Sequence, residues 1–104
     1  MSITINTNTY PITRRFEIQT TATEIIFPRD VKKITIGSSG ALNYSFEGND
    51  GDSFGDGQDI EHFSFVPANN MIEIRIETGR QANRSIFIAQ QSSTGFVSIV
   101  LEKF

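Results

Sequence analysis

Residues 48–61 read GNDGDSFGDGQDIE, with four glycines, four aspartates, one glutamate and no base. Carboxylate oxygens on a flexible backbone are what a hard cation takes as ligands. Asp50, Asp52, Gly55, Asp56 and Glu61 fall where the first, third, sixth, seventh and twelfth positions of an EF-hand loop would fall. Two features oppose that reading. Phe54 occupies the fifth position without a ligand atom, and the flanks read as strands where the motif needs helices. The segment therefore reads as a solvated excursion between strands. No metal or other cofactor is assigned. Were an ion to bind, Asp50, Asp52, Asp56 and Glu61 would be its ligands, and Phe54 is either an anchor tucked beneath the loop or a contact offered to a partner. A phosphate cradle is a poorer match, because the lysine and following helix of a P-loop are missing and the charge has the wrong sign.

Other chemistry is sparse. His62 is the one side chain suited to acid–base work near neutral pH without a shifted pKa. The absence of cysteine removes thiolate catalysis, disulfides and cysteine-held zinc. The GxSxG nucleophile motif is absent, and IGSSG at 36–40 does not have its spacing. A pair of carboxylates of the glycosidase kind carries no sequence signature, so it stays open on sequence alone. No catalytic residue is assigned, and the chain is read as not an enzyme. Residues 47–61 hold six of the twelve acids and none of the nine bases, which leaves the remainder at +3. The bases Arg14, Arg15, Arg29, Lys32, Lys33, Arg75, Arg80 and Arg84 do not interleave with aromatics as on a single-strand platform. Nucleic-acid binding is the weakest reading.

The elements that must position these residues are strands. The chain has 104 residues, the size of one domain, and contains 15 Ile, 4 Val, 9 Phe and 10 Thr against 2 Leu. Carbons branched at Cβ and aromatic rings suit a pleated sheet better than a helix. Alternation agrees. MIEIRIET places Ile72, Ile74 and Ile76 on one face and Glu73, Arg75 and Glu77 on the other. The same period puts Phe16 and Ile18, Ile34 and Ile36, Leu42, Tyr44 and Phe46, Phe63 and Phe65, and Ile86 and Ile88 on core faces. In the last segment Val97, Ile99 and Leu101 share one face while Val100 and Phe104 take the other. Turn-forming residues punctuate these runs. The expectation is an all-β sandwich or small barrel of about seven or eight mainly antiparallel strands.

Residues 1–15 form a separate unit in this reading, an extended arm or edge strand preceding a domain over 16–104. Strand addition to another subunit would use Ile3, Ile5, Tyr10, Pro11 and Ile12 as contacts, beside Phe54. No basic segment leads into an apolar block, and no apolar run is long enough for a membrane helix, so cytoplasmic synthesis without a membrane partner is expected.

The stretch from Thr21 to Phe54, followed by HFSFVPANNMIEIRI, resembles small β-sandwich proteins of tailed-bacteriophage virions. The matching parts are Ile25 to Pro28, Val31 to Ser39, Tyr44 to Gly48, Phe63 to Pro67 and Ile72 to Ile76. The pattern is one of folding residues, and the acidic insert departs from it. The resemblance implies a virion structural protein, either a capsid decoration or cement protein or a head–tail accessory. It also implies a homo-oligomer, with a trimer favoured, and a phage major capsid protein or other virion protein as partner, engaged through the arm and a flat sandwich face. The alternative is a small ligand-binding β module, calcium-dependent and carbohydrate-directed, that uses the 48–61 loop.

Overall fold

A computed structural model describes residues 2–6, 9–76 and 85–103. It is an all-β sandwich, with no helix among the described residues. Among the described residues nine strands form: β1 (Ile3–Thr4), β2 (Ile12–Ile18), β3 (Thr23–Ile26), β4 (Lys33–Ser38), β5 (Leu42–Ser45), β6 (Ser64–Val66), β7 (Asn70–Arg75), β8 (Ser85–Gln90) and β9 (Gly95–Glu102). One sheet runs β1-β3-β8-β5-β6 and the other β2-β9-β4-β7. Every pairing between these strands is antiparallel except β1 with β3.

The four-stranded sheet shows why period two selects this fold. Its register aligns Ile12, Leu101, Ile34 and Ile74 in one rung across all four strands. Ile99, Ile36 and Ile72 form the next. These side chains meet Ile25, Ile86, Ile88, Leu42 and Val66 from the other sheet in one buried cluster. Each fully buried isoleucine contributes about 1.5–3 kcal/mol relative to exposure. The isoleucines of β7 stay half-buried, because β7 is the edge of its sheet.

The strands number nine among the described residues, a two-residue pairing of Ile3–Thr4 with Ile25–Ile26 adding an edge strand. Two sequence expectations change. The boundary at residues 15 and 16 falls inside β2, which is continuous from Ile12 to Ile18 along β9. Phe63 and Phe65 do not face the core. Leu42 pairs with Val66 and Asn43 with Phe65, so Val66 takes the inward position and Phe65 turns outward. Phe104, Arg80 and Arg84 lie outside the described residues.

The buried polar side chain Gln90 closes one end of the sandwich. Its amide Nε2 donates to Ser38 Oγ at 3.3 Å, its backbone N–H donates to Gln19 at 2.8 Å, and Ser38 Oγ donates to the Phe96 carbonyl at 3.2 Å. Burial without partners would cost about 1–3 kcal/mol, so this network ties β8 to β4 and β9.

Candidate protein-binding surface

The acidic excursion is folded onto the outer face of the five-stranded sheet. Between β5 and β6 the chain crosses β8 to reach the β2–β3 connection and then returns. Backbone bonds anchor the far end: Ala22 N–H to Asp52 C=O at 2.8 Å and Gly51 N–H to Ala22 C=O at 2.7 Å. Beneath it Ala22, Ile60 and Phe87 form a second small core, with Phe54 packed against it. Both faces of β8 are therefore covered, Ile86 and Ile88 on one side and Phe87 and Ala89 on the other. Gly48, at φ 139°, lets the chain enter this path, since a Cβ there would lie 2.6 Å from Ile60 Cδ1.

The loop carboxylates divide into two sets. Asp50 Oδ1 accepts from the Glu24 N–H at 2.9 Å, Asp52 Oδ2 from Asn49 N–H at 2.9 Å, and Asp59 Oδ2 from Ser53 N–H at 3.3 Å. These are turn-capping contacts of the kind Asp makes in loops. Glu47, Asp56 and Glu61 stand exposed, and their carboxylates make no hydrogen bond or ion pair with other described residues. Asp50, Asp52, Asp56 and Glu61 are not brought together. Among the described residues no three His, Cys, Asp or Glu side chains gather as metal ligands. His62 is exposed, and its backbone carbonyl accepts from Ser45 Oγ at 3.0 Å.

The anchor and the exposed surface meet at Phe54. Its half-buried ring contacts Phe63 edge-on, with centroids 5.3 Å apart and planes at 81°. Phe63 is 37% exposed and Phe65, two residues along the same face, 59%. Beside them a groove of about 320 Å³ is lined by Tyr44, Phe46, Glu47, His62 and Phe63. The result is an aromatic patch rimmed by Glu47, Glu61 and the acidic loop. Two adjacent exposed phenylalanines next to an open groove suit association with an apolar surface. The acid rim favours a partner fringed with lysine or arginine.

No family model, curated protein or solved structure matches the chain.

The N-terminal contact residues take different places. Ile5 and Ile12 are buried in the chain's own core, and the Ile5 N–H donates to Ile26 C=O at 2.8 Å. In this fold they are core residues, because the sandwich itself supplies the strand pairing an arm would seek elsewhere. Ile3 is half-buried on β1, and Pro11, exposed, follows a cis Tyr10–Pro11 peptide bond. Tyr10 donates its hydroxyl to the Asp30 carboxylate, and Lys103 Nζ lies 5.2 Å from its ring centroid. Burial, with the hydrogen bond and charge of Asp30, pushes the Tyr10 pKa up to about 12.

Sequence reasoning missed Phe63 and Phe65 because HFSFV allows two parities. The apolar count favours the phenylalanines as inward residues, and the pairing of Val66 with Leu42 selects the other. On the opposite sheet Phe96, 48% exposed, lies under the Arg15 guanidinium at 4.0 Å. That cation–π contact partly occupies its ring.

Proposed function

We propose that this chain is a non-enzymatic structural protein that docks on another protein through the Phe63–Phe65 patch and the groove beside it. The setting is a phage virion, where it would decorate or cement a capsid. The observation that carries the docking reading is the pair of outward phenylalanines, Phe63 braced on Phe54 and Phe65 two residues further along a paired strand. Aromatic side chains held rigidly lose little conformational freedom on binding, so their burial converts efficiently into affinity. The resemblance of the strand pattern to virion sandwiches supplies the setting, and repetition on a lattice would strengthen individually weak contacts.

This proposal moves the contact from the N-terminal segment, whose Ile5 and Ile12 are interior, to a sheet face. Co-sedimentation of the purified chain with empty capsid shells of the phage whose genome encodes it tests the reading. Saturable binding is expected. A chain that stays in the supernatant at every shell concentration would overturn it.

A further inference from the structure

The outer edge of β7 lies on the other sheet from the aromatic patch. Among the described residues β7 pairs on one side only, with β4. The Ile76 N–H donates to the Lys32 carbonyl at 2.8 Å. Hydrogen bonding alternates along an antiparallel pair, so Ile72 and Ile74 also direct their backbone groups to β4, while Met71, Glu73 and Arg75 direct theirs to the open edge. An unpaired row of this kind is a template for another strand.

The side chains say which strand. Arg75 lies directly opposite Lys33 in the register, a like-charge pair. Lys33 escapes by leaning to Glu73 at 3.5 Å and Glu102 at 3.3 Å. Arg75 is exposed and makes no ion pair with a described residue. We propose that the chain forms a two-fold dimer in which β7 pairs antiparallel with β7 of a second copy, with Ile74 on the dyad.

That register is selected by both charge and hydrogen bonding. Centring on Ile74 sets Glu73 opposite Arg75 of the second copy and Arg75 opposite its Glu73. Both residues of each pair are the ones whose backbone groups face the open edge, so the ladder closes. On the inner face Ile74 meets its own symmetry mate and Ile72 meets Ile76, which extends the half-buried isoleucine row across the dyad. Shifting the centre to Glu73 keeps the ladder but opposes two glutamates, and centring on Arg75 opposes two arginines. Such self-complementarity about one point is what an isologous interface requires.

The other long edge, β2, offers an analogous Arg15–Glu17 register about Phe16, but it is the poorer site. It would set the guanidinium of Arg14 opposite Ile18 of the second copy, and Arg15 already covers Phe96. Charged residues in such positions are how edges are protected.

Sedimentation equilibrium of the full chain over a dilution series tests the proposal, with far-ultraviolet circular dichroism to confirm that each variant is folded. The wild type is expected to dimerise reversibly. Glu73→Arg and Arg75→Glu are each expected to weaken the dimer at least about tenfold, since both symmetric pairs become repulsive. The double variant Glu73→Arg/Arg75→Glu is expected to restore it. A wild type that stays monomeric throughout, single variants that dimerise like the wild type, or a folded double variant that remains monomeric would each overturn the assignment. The capsid-binding test has its own residues, so either reading can fail without the other.

Discussion

Phe54 and Phe63 meet edge-to-face with centroids 5.3 Å apart, and this contact joins the packed underside of the acidic loop to the exposed patch. Phe54 faces Ala22, Ile60 and Phe87 on one side and braces Phe63 on the other. Phe54→Ala is expected to lower stability by about 1–3 kcal/mol, below the full cost of a buried ring because Phe54 is half-buried. Denaturant unfolding measures the loss. Hydrogen exchange should localise the loosening to residues 46–62 and leave the β4–β9 ladder protected. Phe65→Ser should change stability by less than about 0.5 kcal/mol, as surface positions do.

Asp50, Asp52 and Asp59 cap backbone N–H groups, and no three carboxylates gather among the described residues, so calcium is expected to leave stability unchanged. The melting temperature is expected to be the same in calcium and in chelator, where a bound ion would raise it through linkage. Asp52→Ala should by contrast cost about 0.5–2 kcal/mol by analogy with other side-chain caps, since it removes the acceptor for the Asn49 N–H.

Tyr10 gives the alkaline limb of stability. Its folded pKa of about 12 lies above the ordinary tyrosine value of 10.0, so the folded state holds the phenolic proton more tightly. The stabilisation is complete below the lower value and is lost as pH rises through the higher one. Tyrosinate absorbance should show Tyr10 ionising near the upper value, and Tyr10→Phe should remove the corresponding loss of stability. Asp30 has its pKa lowered, first by the Tyr10 hydroxyl. Its own contribution is therefore present above the ordinary carboxylate range and is lost as pH falls below that range through the lowered folded pKa.

Ile12 heads β2 and completes a rung with Leu101, Ile34 and Ile74. Ile12→Ala is expected to destabilise by about 2–5 kcal/mol, the range for a large-to-small core substitution. Deleting residues 2–12 should accordingly lower the unfolding midpoint strongly. A deletion with an unchanged midpoint would contradict the placement of Ile5 and Ile12.

Much of this fold is written in local alternation. Ile34 and Ile36, Ile86 and Ile88, and Val97, Ile99 and Leu101 each show their buried face without reference to any other segment. What alternation does not encode is which strand lies alongside. The parity of Phe63 and Phe65 depends on Val66 meeting Leu42, a contact across the whole excursion. Burial of Phe87 depends on Ile60 and Ala22 folding over it, two segments far apart in sequence. The polar run before Pro11 hides Ile5, whose burial follows from a parallel pairing that short sequence windows do not reveal. At the candidate site, one phenylalanine among glycines and aspartates stands out in the sequence as an anchor or a partner contact, and the structure packs Phe54 against Ala22, Ile60 and Phe87. Its alignment with Phe63 was not legible.

Equilibrium binding to capsid shells, comparing the wild type with Phe63→Ser/Phe65→Ser, tests the docking surface most directly. Both proteins should show the same circular dichroism, and the double variant should bind at least about tenfold more weakly, the loss expected when two aromatic anchors leave an interface. Equal binding by the folded double variant would contradict the account.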